Sequence, residues 1–155
     1  RILEIGAGTG IVSKEITHYL NHSNTYFVTD KCEDMLKLAW RKLKNFKYIK
    51  FKKMEGENLR FNNNSFDLVF MAGVLHHVND PKAVILEALR VLKPGGKLII
   101  DDLVDDKSIL FKIHKIIDRG NTYFTINEWK NFISTDNFYV TKDIFLKRIW
   151  IVKSK

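Results

Sequence analysis

Short apolar runs alternate along the chain with stretches of helical periodicity. The runs fall at 1–5, 25–30, 47–53, 66–71, 97–103, 138–145 and 149–153. Their lengths suit strands buried on both faces of a sheet. Between them, apolar residues recur at three- and four-residue spacing and predict helices over 9–21, 32–44, 81–93, 107–118 and 126–135. The first helix would bury Val12, Ile16, Tyr19 and Leu20. Asp80-Pro81 reads as a helix start, since Asp caps and Pro suits the first turn. Lys93-Pro94-Gly95-Gly96 reads as a stop. Thr125 and Glu128 form a capping box ahead of Trp129, Phe132 and Ile133. Trp129, Trp150, Phe132 and Phe138 read as core. The alternation of strand and helix argues for a parallel sheet covered on both faces. Only Leu146-Lys147-Arg148 joins the last two strands, so they should form an antiparallel hairpin. At 155 residues, with no repeat or linker, residues 1–155 read as a single domain.

The densest chemical signal follows the first strand. Three glycines, Gly6, Gly8 and Gly10, stand at alternate positions directly after the apolar run, and a helix opens behind them. Such a turn lets the backbone approach a ligand at the carboxyl end of a sheet. The second strand stops at Asp30, where a βαβ unit places an acid for both hydroxyls of a ribose. A dinucleotide fingerprint requires a small residue at position 11, and Ile11 stands there. A cofactor without phosphates fits better, and S-adenosylmethionine has a ribose but a zwitterionic amino-acid end. Glu4 would favour its ammonium group, directly or through water. The helix start near Gly8 to Gly10 would favour its carboxylate.

Five segments in all carry this picture: Leu3–Gly10, Val28–Asp30 with Met35-Leu36 behind it, Glu55–Phe61, Ser65–Phe70 running into Val74–Val78, and Leu89–Ile100. In order and spacing they resemble the class I S-adenosylmethionine-dependent methyltransferases, in the small-molecule subgroup that includes quinone-biosynthesis enzymes. The resemblance implies a Rossmann-like three-layer α/β sandwich. Its mostly parallel seven-stranded sheet would have the order 3-2-1-4-5-7-6, with the ligand crevice between the first and fourth strands. It implies a cofactor-binding set of Glu4, Gly6, Ala7, Gly8, Gly10, Asp30, Lys31, Glu55, Gly56 and Met71. In that set Glu55 holds the adenine amino group, the Gly56 amide meets a ring nitrogen and Met71 lies beside the cofactor. The implied activity is in-line methyl transfer to a small-molecule acceptor, such as a lipid-like or quinone precursor. His76 and His77 follow the fourth strand at the crevice rim. Of the two, His76 is the favoured base or acceptor-positioning group. The chain departs from the family at three places. Glu55 stands where Asp is usual, and Cys32 where a Ser usually caps the second helix. Arg1 lies almost on the first core strand, where the family has preceding helices that commonly cover the active site. The chain therefore reads as a domain lacking those helices.

Charge and the remaining residues narrow the alternatives. The net charge is +8, and residues 37–53 carry eight Lys or Arg and no acid. A nucleic-acid methyltransferase using this basic face is one alternative. A solvated helix face and a lysine-protected edge strand is the plainer account. The Asn/Asp-Pro-Pro-aromatic motif of base-amine methyltransferases is absent after the fourth strand. A catalytically silent cofactor- or partner-binding domain is a second alternative. A nicotinamide dehydrogenase is a distant one, because of Ile11. Asp101, Asp102, Asp105 and Asp106 cluster after the fifth strand. Metal-dependent catechol-type enzymes also need an acid after the fourth strand, where this chain has Met71-Ala72-Gly73, so no metal is expected. Asp105 and Asp106 suit helix capping and first-turn roles, and His18, His22 and His114 suit surface positions. Cys32 is the single cysteine, which points to a reducing cytoplasm. No apolar run reaches transmembrane length. The sequence bears no signature of oligomeric state.

Overall fold

The computed structural model describes the backbone of residues 1–132, 138–143 and 148–154, and the side chains of 1–109 and 111–129. Seven strands run β1 (Ile2–Ile5), β2 (Tyr26–Asp30), β3 (Ile49–Lys53), β4 (Phe66–Ala72), β5 (Leu92–Leu103), β6 (Phe138–Asp143) and β7 (Arg148–Ser154). Five helices accompany them: α1 (Ile11–Ile16), α2 (Glu33–Leu43), α3 (Pro81–Val91), α4 (Ile109–Asp118) and α5 (Ile126–Phe132). The strands form one sheet in the order β3-β2-β1-β4-β5-β7-β6. The first five are parallel, and β7 pairs antiparallel with both β5 and β6. This is the order and the hairpin expected from the sequence. The chain leaves β1 toward β2 and β3, then returns to place β4 on its other side. The crevice of a doubly wound sheet opens at that reversal.

Period-two alternation sends the residues of β1, β2, β4 and β5 to two apolar layers. Leu3, Ile5, Val69, Met71 and Leu98 pack with Val84 and Ala88 of α3 and with Trp129. Ile2, Tyr26, Val28 and Phe70 pack against Ala39 and Leu43 of α2. Each such large apolar side chain contributes about 1.5–3 kcal/mol on burial. Trp129 is core as expected, whereas the side chains of Phe132, Phe138 and Trp150 and all of Ile133 lie outside the described residues. Residues 133–135 of the fifth expected helix and 144–147 at the hairpin lie outside them too.

Several boundaries differ from expectation. Helix α1 is only six residues long and passes into a 3-10 turn at Thr17–Tyr19. Its buried face is Ser13 and Thr17, while Val12 is 40% and Tyr19 88% exposed. Ile16 and Leu20 pack against the α2-side layer as expected, whereas Val12 and Tyr19 face outward, because the group beneath the helix is a carboxylate that needs a hydroxyl partner. Strand β5 begins at Leu92 rather than 97. Leu92 pairs with Phe66 and Lys97 with Leu68, so Pro94, Gly95 and Gly96 bulge between two paired segments. Asp80 caps α3 through the Ala83 N–H, and Thr125 and Glu128 form their reciprocal box. Ser108 caps α4. Asp105 and Asp106 instead accept the Lys107 and Ser108 amides, shaping the turn that leads into the helix. Cys32 sits at the α2 N-cap without a side-chain bond, as expected of a thiol.

Candidate active site

A cavity of about 440 Å³ opens at the carboxyl ends of β1, β2 and β4. This lies in the range of small-molecule and cofactor sites. Its floor is the glycine turn. Gly6, Gly8 and Gly10 all have positive φ, at 69°, 54° and 74°. A Cβ on Gly6 would come within 2.6 Å of Val74 Cγ2, and one on Gly10 within 2.9 Å of the Ala39 backbone. At Gly8 nothing lies within 4 Å of a Cβ position, so its backbone stands bare to the cavity. The Gly8 N–H donates to Asp30 Oδ2 at 2.7 Å, and the Cys32 N–H donates to Asp30 Oδ1 at 2.8 Å. Asp30 thereby locks the end of β2 to the turn. Each oxygen keeps a further lone pair for a ligand hydroxyl.

Beneath the turn lies a buried polar cluster of four residues. The Ser13 and Tyr26 hydroxyls both donate to Glu4 Oε2 at 2.5 Å, and the Thr29 hydroxyl donates to the Glu4 carbonyl at 2.6 Å. Glu4 is 2% exposed. Burial pushes its carboxyl up to about 7, against the two hydrogen bonds, and the neighbouring Asp30 charge adds to the rise. Burial and the Glu4 charge push the Tyr26 phenol up as well.

The 3-10 turn at Leu75–His77, after β4, holds a second cluster. His76 is buried between two carboxylates, with Nδ1 2.5 Å from Asp102 Oδ1 and Nε2 3.2 Å from Asp118 Oδ2. Asp102 also accepts the Leu75 and Leu103 amides, each at 2.7 Å. The Tyr123 hydroxyl donates to Asp118 Oδ2 and accepts the Gly120 amide. Burial opposes ionisation of Asp118, yet the Tyr123 hydroxyl and the two histidines hold its carboxyl below the usual range. Burial and Asp118 push the Tyr123 phenol up to about 12. His77 is half-exposed, with its ring centroid 4.1 Å from that of His76. Burial lowers its pKa. The Asn121 and Thr122 amides donate to the His76 carbonyl, which straps the segment after α4 to this turn.

A sequence-family model described as a methyltransferase domain matches residues 3–100. The chain belongs to that family. It is 32% identical over 123 residues to the ubiquinone/menaquinone biosynthesis C-methyltransferase of Shewanella piezotolerans, a match covering 75% of this chain and 48% of that protein. It is 27% identical over 129 residues to the enzyme of the same name from Pseudoalteromonas translucida, covering 81% and 49%. The chain thus spans about half the length of the curated relatives it matches. Among solved structures, the YcgJ protein of Bacillus subtilis shares the fold with a TM-score of 0.78, at 18% identity and with 100% and 92% coverage. A SAM-dependent methyltransferase of Aquifex aeolicus shares it at 0.77, with 21% identity and 98% and 80% coverage.

Within this methyltransferase domain, Gly6, Ala7, Gly8, Asp30, Lys31 and Gly56 line the cavity, as do Thr9, Ile11, Val12, Met35, Glu57 and His77. Glu4, Gly10, Glu55, Met71 and His76 do not line it. Glu4 points under the turn, since residues 2 and 4 share the α2-side layer. Gly10 caps α1 against α2. Met71 is fully buried, and the next residues, Ala72 and Gly73, reach the cavity instead. Glu55 is exposed and lines a neighbouring hollow with Lys31, Lys53 and Arg60, so the acid that this loop brings to the cavity wall is Glu57. His76 is enclosed, and His77 is the imidazole at the wall. The basic stretch is largely taken up by local contacts: Lys37 and Lys53 pair with Glu33, Lys44 lies over Trp40, and Lys50 and Lys52 over Phe27. His18, His22 and His114 are exposed. No helix among the described residues is long and apolar enough to cross a membrane. Local pattern gave no signal for Ser13, Tyr26, Asp118 or Tyr123, whose contacts to Glu4 and His76 join different elements.

Proposed function

We propose that this domain binds S-adenosylmethionine in the cavity at the β1–β4 reversal and methylates a small-molecule acceptor, a carbon of a quinone-type ring being the favoured class. One observation carries the reading: a turn of three positive-φ glycines, bare to the cavity at Gly8 and locked through the Gly8 amide to the carboxylate ending β2. The relatives named as C-methyltransferases support the acceptor class. Bound S-adenosylmethionine supplies an electrophilic methyl group on a sulfonium.

The chain's own residues bind and orient. Asp30 accepts ribose hydroxyls with its free lone pairs, beside Lys31. Gly6, Ala7 and Gly8 let the backbone approach closely, while Gly10 and Glu4 hold the turn from behind. Gly56 and Glu57 meet the adenine, Glu55 lies in the neighbouring hollow, and Met71 packs in the core behind the cavity. His76 acts as a brace, because enclosure between Asp102 and Asp118 keeps it from an acceptor. Holding an acceptor in line with the methyl group is worth roughly 7–11 kcal/mol of barrier. The exposed thiol of Cys32 suits a reducing cytoplasm.

Calorimetric titration with S-adenosylhomocysteine tests the reading. Wild type should bind saturably, and Asp30→Ala should weaken binding about tenfold or more, the equivalent of about 1.4 kcal/mol. Absence of heat with wild type overturns it. Binding without methyl transfer to any hydroxylated ring acceptor selects the silent cofactor-binding domain.

A further inference from the structure

Two carboxylates and a second imidazole gather around His76. Asp102 takes three hydrogens, from the Leu75 amide, the Leu103 amide and His76 Nδ1. This places the proton of a neutral His76 on Nδ1 and turns the Nε2 lone pair outward. That lone pair lies 3.2 Å from a lone pair of Asp118 Oδ2. Two acceptors face each other at that distance only with a cation between them. A proton would satisfy this pair alone. Yet His77 Nε2 also approaches the other oxygen of the same carboxylate, at 3.7 Å from Asp118 Oδ1. Ligand atoms from His76, His77 and Asp118 all lie within 4.8 Å of one another.

The 3.2 Å between His76 Nε2 and Asp118 Oδ2 matches a tetrahedral metal, and the half-exposed His77 ring has only to close in from 3.7 Å. Ligands held about 2.0–2.1 Å from zinc at tetrahedral angles stand about 3.3–3.4 Å apart. Two imidazoles and a carboxylate are a donor set that zinc accepts. The surroundings also match the usual second layer of such a site. Asp102 fixes the tautomer and orientation of His76, and the Tyr123 hydroxyl fixes Asp118. A divalent ion here is balanced by the two carboxylates, so the loaded site is neutral beside the cavity.

We propose that His76, His77 and Asp118 form a zinc-type divalent metal site, held by three protein ligands and open through His77 toward the cavity. The ion clasps the turn after β4 to the end of α4. Its fourth position takes water or an oxygen of a ligand in the cavity. This goes beyond the methyltransferase reading, because it concerns metal binding by the chain alone.

The test uses the whole chain, stripped with a chelator and titrated with zinc chloride in a calorimeter and with cobalt(II) in a spectrophotometer. One metal per chain and the visible bands of tetrahedral cobalt are expected. His77→Ala and Asp118→Asn should each abolish saturable binding. Asp102→Asn should weaken it about 10–100-fold. His18→Ala and His114→Ala, at exposed histidines elsewhere, should leave it unchanged. His77 is half-exposed, so its removal spares the core, and circular dichroism checks the fold of each variant. No saturable zinc binding overturns the proposal, as does unchanged binding in His77→Ala. Nitrogen NMR showing both His76 ring nitrogens protonated with zinc present also overturns it. S-adenosylhomocysteine titration of the stripped protein runs alongside, so failure of the metal site and failure of the cofactor reading are told apart.

Discussion

Replacing Glu4 with Gln isolates the cost of burying a carboxylate under the glycine turn. The Glu4 carboxyl rises from 4.5 to about 7 in the fold. The folded protein therefore keeps a proton that the unfolded chain has lost, and between these values ν_U is smaller than ν_N. Stability must fall as pH rises through this window and then level off. The full drop is the shift multiplied by 1.36 kcal/mol per unit, about 3 kcal/mol. Gln keeps the shape and an oxygen that accepts from Ser13 and Tyr26, but it does not ionise. The expected result is a Glu4→Gln variant about as stable as wild type near pH 4.5 and up to about 3 kcal/mol more stable at pH 8. In Tm this is about 6–12 °C for a domain of this size. Thermal unfolding followed by circular dichroism at half-unit pH steps reads it, and the difference between the two proteins removes every other titrating group. Parallel curves across pH 4.5–8 would refute the reasoning.

Other expectations follow from the same contacts. Tyr26→Phe removes a donor to the Glu4 carboxylate, so the stability drop in a pH series should move to higher pH, with a cost of about 1–3 kcal/mol when Glu4 is ionised. Gly8→Ala should cost about 1–2 kcal/mol, from left-handed backbone alone. Gly10→Ala should cost about 1–3 kcal/mol more in urea unfolding, because its Cβ also meets the Ala39 backbone. Arg90 donates to the Leu59 and Phe61 carbonyls and pairs with Glu87, fastening the segment that follows Gly56. Arg90→Lys loses the planar fork. It should loosen that segment to limited proteolysis and cost about 1–3 kcal/mol. An unchanged cleavage pattern would count against that role.

The glycine turn and its acid were legible because their chemistry is local. Gly6, Gly8 and Gly10 are needed where the backbone turns through positive φ. Asp30 ends an apolar run whose length sets where the strand stops. Helix α1 was misread for an equally physical reason. Its apolar spacing at Val12 and Tyr19 faces outward, whereas Ser13 and Thr17 face inward, because the strand beneath presents Glu4. Periodicity reports which residues are apolar, and not what lies across from them. The His76 brace was illegible for the same cause, since Asp102 and Asp118 approach it from β5 and α4, 26 and 42 positions along the chain.

By itself the sequence determined the strand and helix succession, the parallel sheet with its terminal hairpin, and the glycine turn with its acid. These follow from alternation, caps and backbone sterics, which act over a few residues. Only the tertiary structure decided which side chains reach the cavity. It placed Glu57 and His77 at the wall and Glu55 and His76 elsewhere, and it turned Glu4 into a buried acid. Strand register and helix docking set those directions, and both are properties of elements meeting across the sheet.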